Sequence, residues 1–539
     1  MALAVAAPKS HIHTLHELLE ATHDAYVASE AAGSVEEVAV DGAGRRLSCW
    51  PPLLSTFDRV TKLVMRGHFM TSLPSSVGDM RSLRVLSVTG GTLASIPQEL
   101  ARLSDLRELD LGRNELRVFP HQLCALKGLT ALNLMGNRLE QLPDRFGDLS
   151  GLYRLGLKSN GLRQLPGSFT RLTNLVELFI TDNKLTELPE GFGALASLVK
   201  LQASFNPLAK LPADILNLPR LELFRLAAGD LPDWPRPAGG SPGASGLPPA
   251  LAWCSMGGNP AAAPLPRIGE LPLVDVSEVE VDRQKPLGEG ASGECFRATF
   301  RGERVALKLF LAEVSPDGKA QDEVAITCAL QHPNVTRVKA VVFDRRDPWP
   351  GPRGDEDYGA DAAAPGSLRA HAHAHEAARG MVLELIAGKP LAAKPTSEHL
   401  LRCKWAPDVS FPLPEALTIC LGIGDALAYL HARRVCHGDV YAHNILYCPD
   451  SRRAVLCDFG ASFCYREEEG FWELMEVRAF GIFMSDVAAR ISASDAATPA
   501  ARRLGRLADR CAAPGGERPR FAEVVSELKA VETAAPAAS

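Results

Sequence analysis

No Cys-x-x-Cys pair occurs in this chain, and its twelve cysteines stand singly, without a repeated spacing. That removes the usual zinc-site arrangements and argues against a disulfide framework, so a reducing compartment is the expectation. An excess of basic charge is missing too. With 58 Lys and Arg against 64 Asp and Glu, the net charge of −6 offers no positive field to a nucleic-acid backbone. No run of eighteen apolar residues is present, so no membrane span is expected. The opening stretch, Met1 to Lys9, is apolar but too short for a signal core and has no basic leader, and a cytoplasmic location is expected.

What is present is ordinary globular material, 46% hydrophobic and 23% charged, in a chain of 539 residues that is too long for one core. Its first half repeats. Val60, Leu83, Leu106, Leu129, Leu152, Leu175, Leu198 and Leu221 follow one another at a step of 23 residues. The underlying spacing is L-x-x-L-x-L-x-x-N, as in Leu129-Thr-Ala-Leu132-Asn-Leu134-Met-Gly-Asn137. An asparagine column runs through Asn114, Asn137, Asn160, Asn183 and Asn206, and a proline column from Pro74 to Pro212. Alternating leucines put one face of a short strand into a shared core. Asparagine side chains bond backbone groups where the chain turns, and prolines fix φ on the side that needs no strand pairing. A single unit cannot bury its apolar face, whereas a stack can.

A partial ninth unit, Leu251 to Pro260, follows a Pro/Gly-rich insertion from Pro232 to Pro249. The pattern resembles the leucine-rich-repeat family, which implies a solenoid whose concave face recognises protein. The outward positions Glu108, Asp110, Arg154, Lys158, Glu177, Phe179, Lys200 and Gln202 mix both signs of charge. Ahead of the repeats, Thr14 to Glu30 carries Leu15, Leu18, Leu19 and Tyr26 at helical spacing, which predicts a cap for the open end of the stack.

The second half carries a different set of motifs. Leu287-Gly288-Glu-Gly290-Ala-Ser-Gly293-Glu-Cys295 carries the G-x-G-x-x-G spacing, which is weak evidence alone. A strand-like segment follows it where a dinucleotide-binding turn needs a helix, and Val305-Ala306-Leu307-Lys308 comes next. Further along stand Glu323 ahead of His332-Pro-Asn334, then Met381-Val-Leu383-Glu384 and His437-Gly438-Asp439-Val-Tyr441-Ala-His443-Asn444. Asp458-Phe459-Gly460 and Arg518-Pro519-x-Phe521 complete the series. This ordered series resembles the protein-kinase family over roughly residues 276 to 532.

The resemblance implies ATP and Mg²⁺ as cofactors and a role for each motif. The glycines Gly288, Gly290 and Gly293 would close over the phosphates, with Lys308 on the α and β phosphates and Glu323 orienting its ammonium. Leu287, Cys295, Ala306 and Leu446 would sandwich the adenine, with Glu384 at the hinge. Asn444 and Asp458 would hold the metal through hard oxygens. Asp439 would take the proton of the acceptor hydroxyl.

The family pattern breaks in four places. Gly438 replaces the arginine before the catalytic aspartate. Tyr441 and His443 stand where cations for the transferring phosphate are expected, and a protonated His443 is one candidate for that charge. Only 18 residues separate Asp458 from Glu476, so the activation segment is short, and no Ala-Pro-Glu triplet is found. Glu476 replaces the aspartate of the following helix. With the triplet absent, Arg518 is expected to pair with Glu473 or Glu476. The stretch Arg345 to Arg379, with His371, His373 and His375, is expected to be a disordered loop.

The expected architecture is multidomain: a leucine-rich-repeat α/β solenoid followed by a bilobal α+β protein-kinase-like domain. The boundaries are an N-terminal helical cap at 1–56, repeats at 57–262, a linker at 263–275, the kinase-like domain at 276–532 and a disordered tail at 533–539. The expected function is a Ser/Thr protein kinase whose repeats recruit a protein partner or substrate. An ATP-binding pseudokinase scaffold and a small-molecule phosphotransferase are the alternatives.

Overall fold

The 23-residue step becomes a ladder of short parallel strands. In the computed structural model, Lys62–Arg66, Val85–Thr89, Glu108–Asp110, Ala131–Asn133, Arg154–Gly156, Glu177–Phe179 and Lys200–Gln202 pair in chain order. The register is that of the repeat, with Leu86, Leu109, Leu132, Leu155, Leu178 and Leu201 in line. All of these leucines are buried. The side opposite the strands is built of 3₁₀ turns rather than α-helices. Proline sits immediately before six of these turns, at 74, 97, 120, 143, 166 and 212.

The asparagine column does what its chemistry allows. Asn137 Nδ2 donates to the carbonyls of Leu111 and Leu134, and its Oδ1 accepts from the amide of Leu116 at 3.0 Å. Removing one such buried side chain strands several backbone groups, each costing about 1–3 kcal/mol. Phe119 meets Phe146 edge to face and Phe146 stacks on Phe169 between successive turns, with centroids 5.2 and 5.8 Å apart.

The structure describes residues 59–236, 246–267, 271–344 and 378–535, apart from 285, 291, 316, 397, 398 and 516. Ahead of these it describes 49, 50, 54 and the strands Ala2–Val5, His13–Thr14 and Glu37–Asp41. The expected helix from Thr14 to Glu30 falls, beyond Thr14, outside the described residues, as do the histidines at 371, 373 and 375.

The chain divides into two compact units, one of Met1–Leu221 with Asp233–Pro249 and one of Glu222–Pro232 with Ala250–Ser539. The division therefore falls inside the repeat pattern. In the second unit, Leu223–Arg225 pairs in parallel with Trp253–Ser255. The ninth repeat is built like the others: Asn259 Nδ2 donates to Leu226 O at 2.7 Å and to Met256 O at 3.0 Å.

The rest of the second unit has two lobes. One is a sheet in the order Leu273–Asp275, Val338–Phe343, Gly380–Glu384, Glu303–Phe310, Gly293–Phe300, Glu280–Asp282, flanked by the helix Ala320–Cys328. Leu273–Asp275 lies in the stretch expected to be linker, yet it pairs with Val341–Phe343 because Val274 is needed in that core. The other lobe packs the helix Leu413–His431 against Phe521–Ala534, and Phe471–Ala488 against Pro499–Ala512. Leu413–His431 is apolar enough to match a membrane span in length and composition, but most of its apolar side chains are buried in this lobe. The last helix runs to Ala534, two residues past the expected end of the domain.

Candidate active site

Lys308 is placed by strand pairing. The strand Glu303–Phe310 lies between Gly293–Phe300 and Gly380–Glu384, with Lys308 opposite both Cys295 and Met381. Its Nζ lies 2.5 Å from Glu323 Oε1, on the helix Ala320–Cys328, and 3.1 Å from Asp458 Oδ1. Burial alone would strip the charge from this ammonium. Asp458 and Glu323 outweigh that and raise its pKa well above the usual lysine range. Asp458 is held down at about 2, mainly by Lys308, against its own burial. Its φ of +63° is a left-handed conformation that a non-glycine residue adopts at a cost, a kind of strain that recurs where function requires it.

A hairpin roofs the cleft. Gly288 pairs with Cys295, and the space where a Cβ on Gly288 would sit is open. Gly293 has no such freedom, because a Cβ there would run into the carbonyl of Leu309. Lys394, which no motif marks, donates from Nζ to Glu289 O at 2.8 Å and lines the same cleft. Leu287, Cys295, Ala306 and Leu446 line it as well, giving apolar walls above and below a planar ring. Glu384 also lies on the cleft, but its carboxylate is drawn outward by Arg453, 2.5 Å away. Its side chain is thus a structural ion pair, and the hinge is left to the backbone.

The catalytic loop is fixed from two sides. Asn444 Nδ2 donates to Asp439 Oδ2 at 2.8 Å and to Asp439 O at 2.9 Å, which leaves the Asn444 oxygen as the end able to accept a cation. Asn444 and Asp458 line the same cleft, and their hard oxygens are the type that suits a divalent ion completing its shell with phosphate and water. Glu476, fully buried, accepts from Gly438 N at 2.7 Å and His437 N at 3.1 Å, and lies 2.8 Å from His431 Nε2. The extra methylene over aspartate therefore keeps it in contact with the loop.

Two expectations fail here. Burial lowers the pKa of His443, although Asp439 opposes the shift, so at neutral pH the ring carries no charge for a phosphate. Its Nδ1 faces Cys403 Sγ at 3.3 Å, and the ring stacks on Tyr441. Arg518 donates to the carbonyls of Ala513 and Leu474, while Glu473 pairs with Arg520 at 2.6 Å. Two residues of register decide that outcome: Arg520 immediately precedes the helix whose first amide, Phe521 N, also bonds Glu473.

The terminal repeat lies against the catalytic loop and the short activation segment. Arg225 Nη2 bonds Asp439 Oδ1, and Nη1 donates to Gly438 O at 3.0 Å. Trp253 Nε1 donates to Val440 O at 3.1 Å, and its ring stacks on Tyr441 with centroids 4.4 Å apart. Gly438 has φ +75°, and a Cβ there would overlap the carbonyl of Cys254. Ala263 N donates to Cys464 O and Arg466 Nη2 to Pro260 O, along the segment that follows Asp458. The departures at 438 and 441 thus share one cause, since the space is taken by a repeat.

Residues 281–480 match the protein kinase domain family, and residues 81–139 and 150–208 match the leucine rich repeat family. The chain carries a protein kinase domain preceded by leucine-rich repeats. Over 241 residues it is 29% identical to the serine/threonine-protein kinase mos of Xenopus laevis, covering 42% of this chain and 50% of that one. Over 204 residues it is 26% identical to the probable serine/threonine-protein kinase kinY of Dictyostelium discoideum, covering 36% and 30%. The chain spans half or less of the length of these curated relatives. Among solved structures, a leucine-rich-repeat protein of Leptospira interrogans matches 42% of this chain and 62% of its own at 24% identity, with a TM-score of 0.35. ATP and a divalent metal are the general cofactors of a protein kinase domain.

Proposed function

We propose that this protein is a Mg·ATP-dependent protein kinase acting on serine or threonine hydroxyls, with its repeats recruiting a protein partner or substrate. The observation that carries this reading is the meeting of Lys308, Glu323 and Asp458 in a cleft that Asn444 also lines, with Asn444 bonded to Asp439. Lys308, kept charged by two carboxylates, binds the inner phosphates. The glycine hairpin excludes water above them, and Lys394 holds that hairpin down. Asn444 and Asp458 would hold Mg²⁺, which supplies charge neutralisation to the phosphates when bound. Asp439 accepts the proton of the incoming hydroxyl, its carboxylate aimed by Asn444. Serine/threonine preference is supported by the names of the relatives. A cytoplasmic setting is proposed from the unpaired cysteines.

Recruitment is supported by the strand face of the first unit. Glu177 is buried between Arg154 and Lys200, and the Lys200 ammonium sits 5.1 Å from the centre of the Phe179 ring. These pairs preorganise an outward surface of mixed charge around one aromatic ring.

A second reading, an ATP-binding scaffold with little transfer, is favoured by one observation: both carboxylate oxygens of Asp439 are already engaged. Purified protein spanning residues 1–539 and given radiolabelled Mg·ATP separates the two. Labelling of itself or of a generic protein substrate, lost in Asp439→Ala, is the result expected of a kinase. Nucleotide binding with labelling no higher than in that mutant overturns the kinase reading and leaves the scaffold.

A further inference from the structure

The catalytic loop lacks a cation at 441 and 443, yet a cation is bonded to Asp439. It comes from 214 residues earlier in the chain. We propose that Arg225, on a leucine-rich-repeat strand, is a positioning residue of the phosphotransfer site and supplies in cis the fixed positive charge that the loop itself does not encode. The proposal rests on the kinase reading above.

Three observations support it. Arg225 is spent on the site rather than on the repeat, with Nη2 on Asp439 Oδ1, Nη1 on Gly438 O and Nε 2.8 Å from Asp317 Oδ1. Its side chain is only 4% exposed, so the guanidinium has left water almost entirely, a cost that these partners must offset. The backbone carrying it is clamped independently. Trp253, on the paired strand, bonds Val440 O and covers Tyr441, and Arg402 grips Glu222 through two contacts of 2.7 and 3.1 Å.

The contact leaves room for chemistry. An ionised carboxylate offers about four acceptor positions, of which Arg225 and Asn444 take one each, so a hydroxyl can still reach Asp439. Guanidinium is also the one side-chain cation that keeps its charge at every accessible pH. Arg225 thus fixes the Asp439 carboxylate in rotation, the orientation that a proton acceptor needs. Repeat and catalytic loop form one constructed site. The loop surrendered its own arginine position to glycine because the carbonyl of Cys254 fills that space.

The test uses the full chain in four forms: wild type, Arg225→Ala, Arg225→Lys, and Arg225→Ala combined with Asp317→Asn. The double variant guards against misfolding from an orphaned Asp317. Two readouts are taken on each, Asp439-dependent phosphotransfer and amide hydrogen exchange across residues 437–444. The expected result for Arg225→Ala is a fall in kcat of about 10- to 100-fold, the range for losing one charged hydrogen bond to a reacting group, with KM for ATP within about twofold. Arg225→Lys recovers part of that loss, which a purely architectural side chain would not produce. Unchanged or increased turnover in both Ala variants overturns the proposal, an increase marking Arg225 as a block instead. If the wild type transfers no phosphate, the kinase reading falls by itself and exchange still decides the placement. Faster exchange of the loop amides in Arg225→Ala supports it, and unchanged exchange overturns it.

Discussion

Glu476 Oε1 accepts a 2.7 Å hydrogen bond from the amide of Gly438, the residue immediately before Asp439. The same carboxylate takes His437 N and His431 Nε2, so one buried anion holds the start of the catalytic loop to the helix Phe471–Ala488. Removing it strands two amides and a ring nitrogen in a dry interior.

Glu476→Ala is therefore expected to cost at least about 3 kcal/mol, at about 1–3 kcal/mol for each buried polar group left unpaired. Glu476→Asp, one methylene shorter, keeps the charge and is expected to lower phosphotransfer more than it lowers Tm. Thermal unfolding beside initial-rate assays checks this, and an Asp variant with full activity contradicts the assigned reach.

Asp322 is the converse case, a buried carboxylate whose Oδ2 finds no hydrogen-bond partner among the described residues. Burial pushes its pKa up to about 6, with Lys319 opposing. For an acid with a raised folded pKa, the unfolded chain loses its proton first. The penalty is absent below the unfolded value near 3.8, grows as pH rises and is complete above about 6. Asp322→Asn should thus raise stability by about 1–3 kcal/mol at pH 7.5 and by less at pH 5. Melting curves at the two pH values decide it, and an equal gain at both removes titration as the cause.

His443 is neutral near pH 7, so it contributes no charge to the transferring phosphate. His443→Ala is expected to keep kcat within about threefold of wild type, the size of a lost packing contact rather than a lost charge. Its rate profile from pH 6 to pH 8 should parallel the wild type. A limb near pH 6.5 that vanishes in the variant would restore the histidine to the chemistry.

Two cysteines adjoin the phosphate cleft, yet neither is poised to react. Burial raises Cys295 to about 11, against the pull of Lys308, and Cys457 to about 12. Both are expected to resist iodoacetamide at pH 7.5 while the exposed Cys49 is alkylated, as read by peptide mass spectrometry. Rapid labelling of Cys295 in the folded protein contradicts this.

Much of the site was legible because its residues sit in motifs whose spacing is set by local geometry. Gly288 to Gly293, Lys308, Glu323, Asp439, Asn444 and Asp458 each belong to a short segment, and the structure joins Lys308 to Glu323 and Asp458, and Asn444 to Asp439. What escaped was either long-range or one register away. Arg225 occupies the outward column that also holds Asp110, Asn133, Phe179 and Gln202, so nothing in the repeat marks it as buried. Lys394 has no motif around it. Arg518 lost Glu473 to Arg520 through the way the last helix begins, a detail that spacing does not encode. The glycine at 438 was visible as a departure, but its reason lay in a carbonyl from residue 254.

The placement of Leu223–Arg225 and Trp253–Ser255 within the second unit also bears on how this protein can be divided. A fragment trimmed to the segment that matches known kinases, starting near residue 276, leaves behind the tryptophan that covers Tyr441 and the arginine bonded to Asp439. Such a piece would present a raw aromatic surface and an unbraced loop to solvent. The compact unit that holds the kinase domain begins before its apparent kinase does, and the last two repeats travel with it.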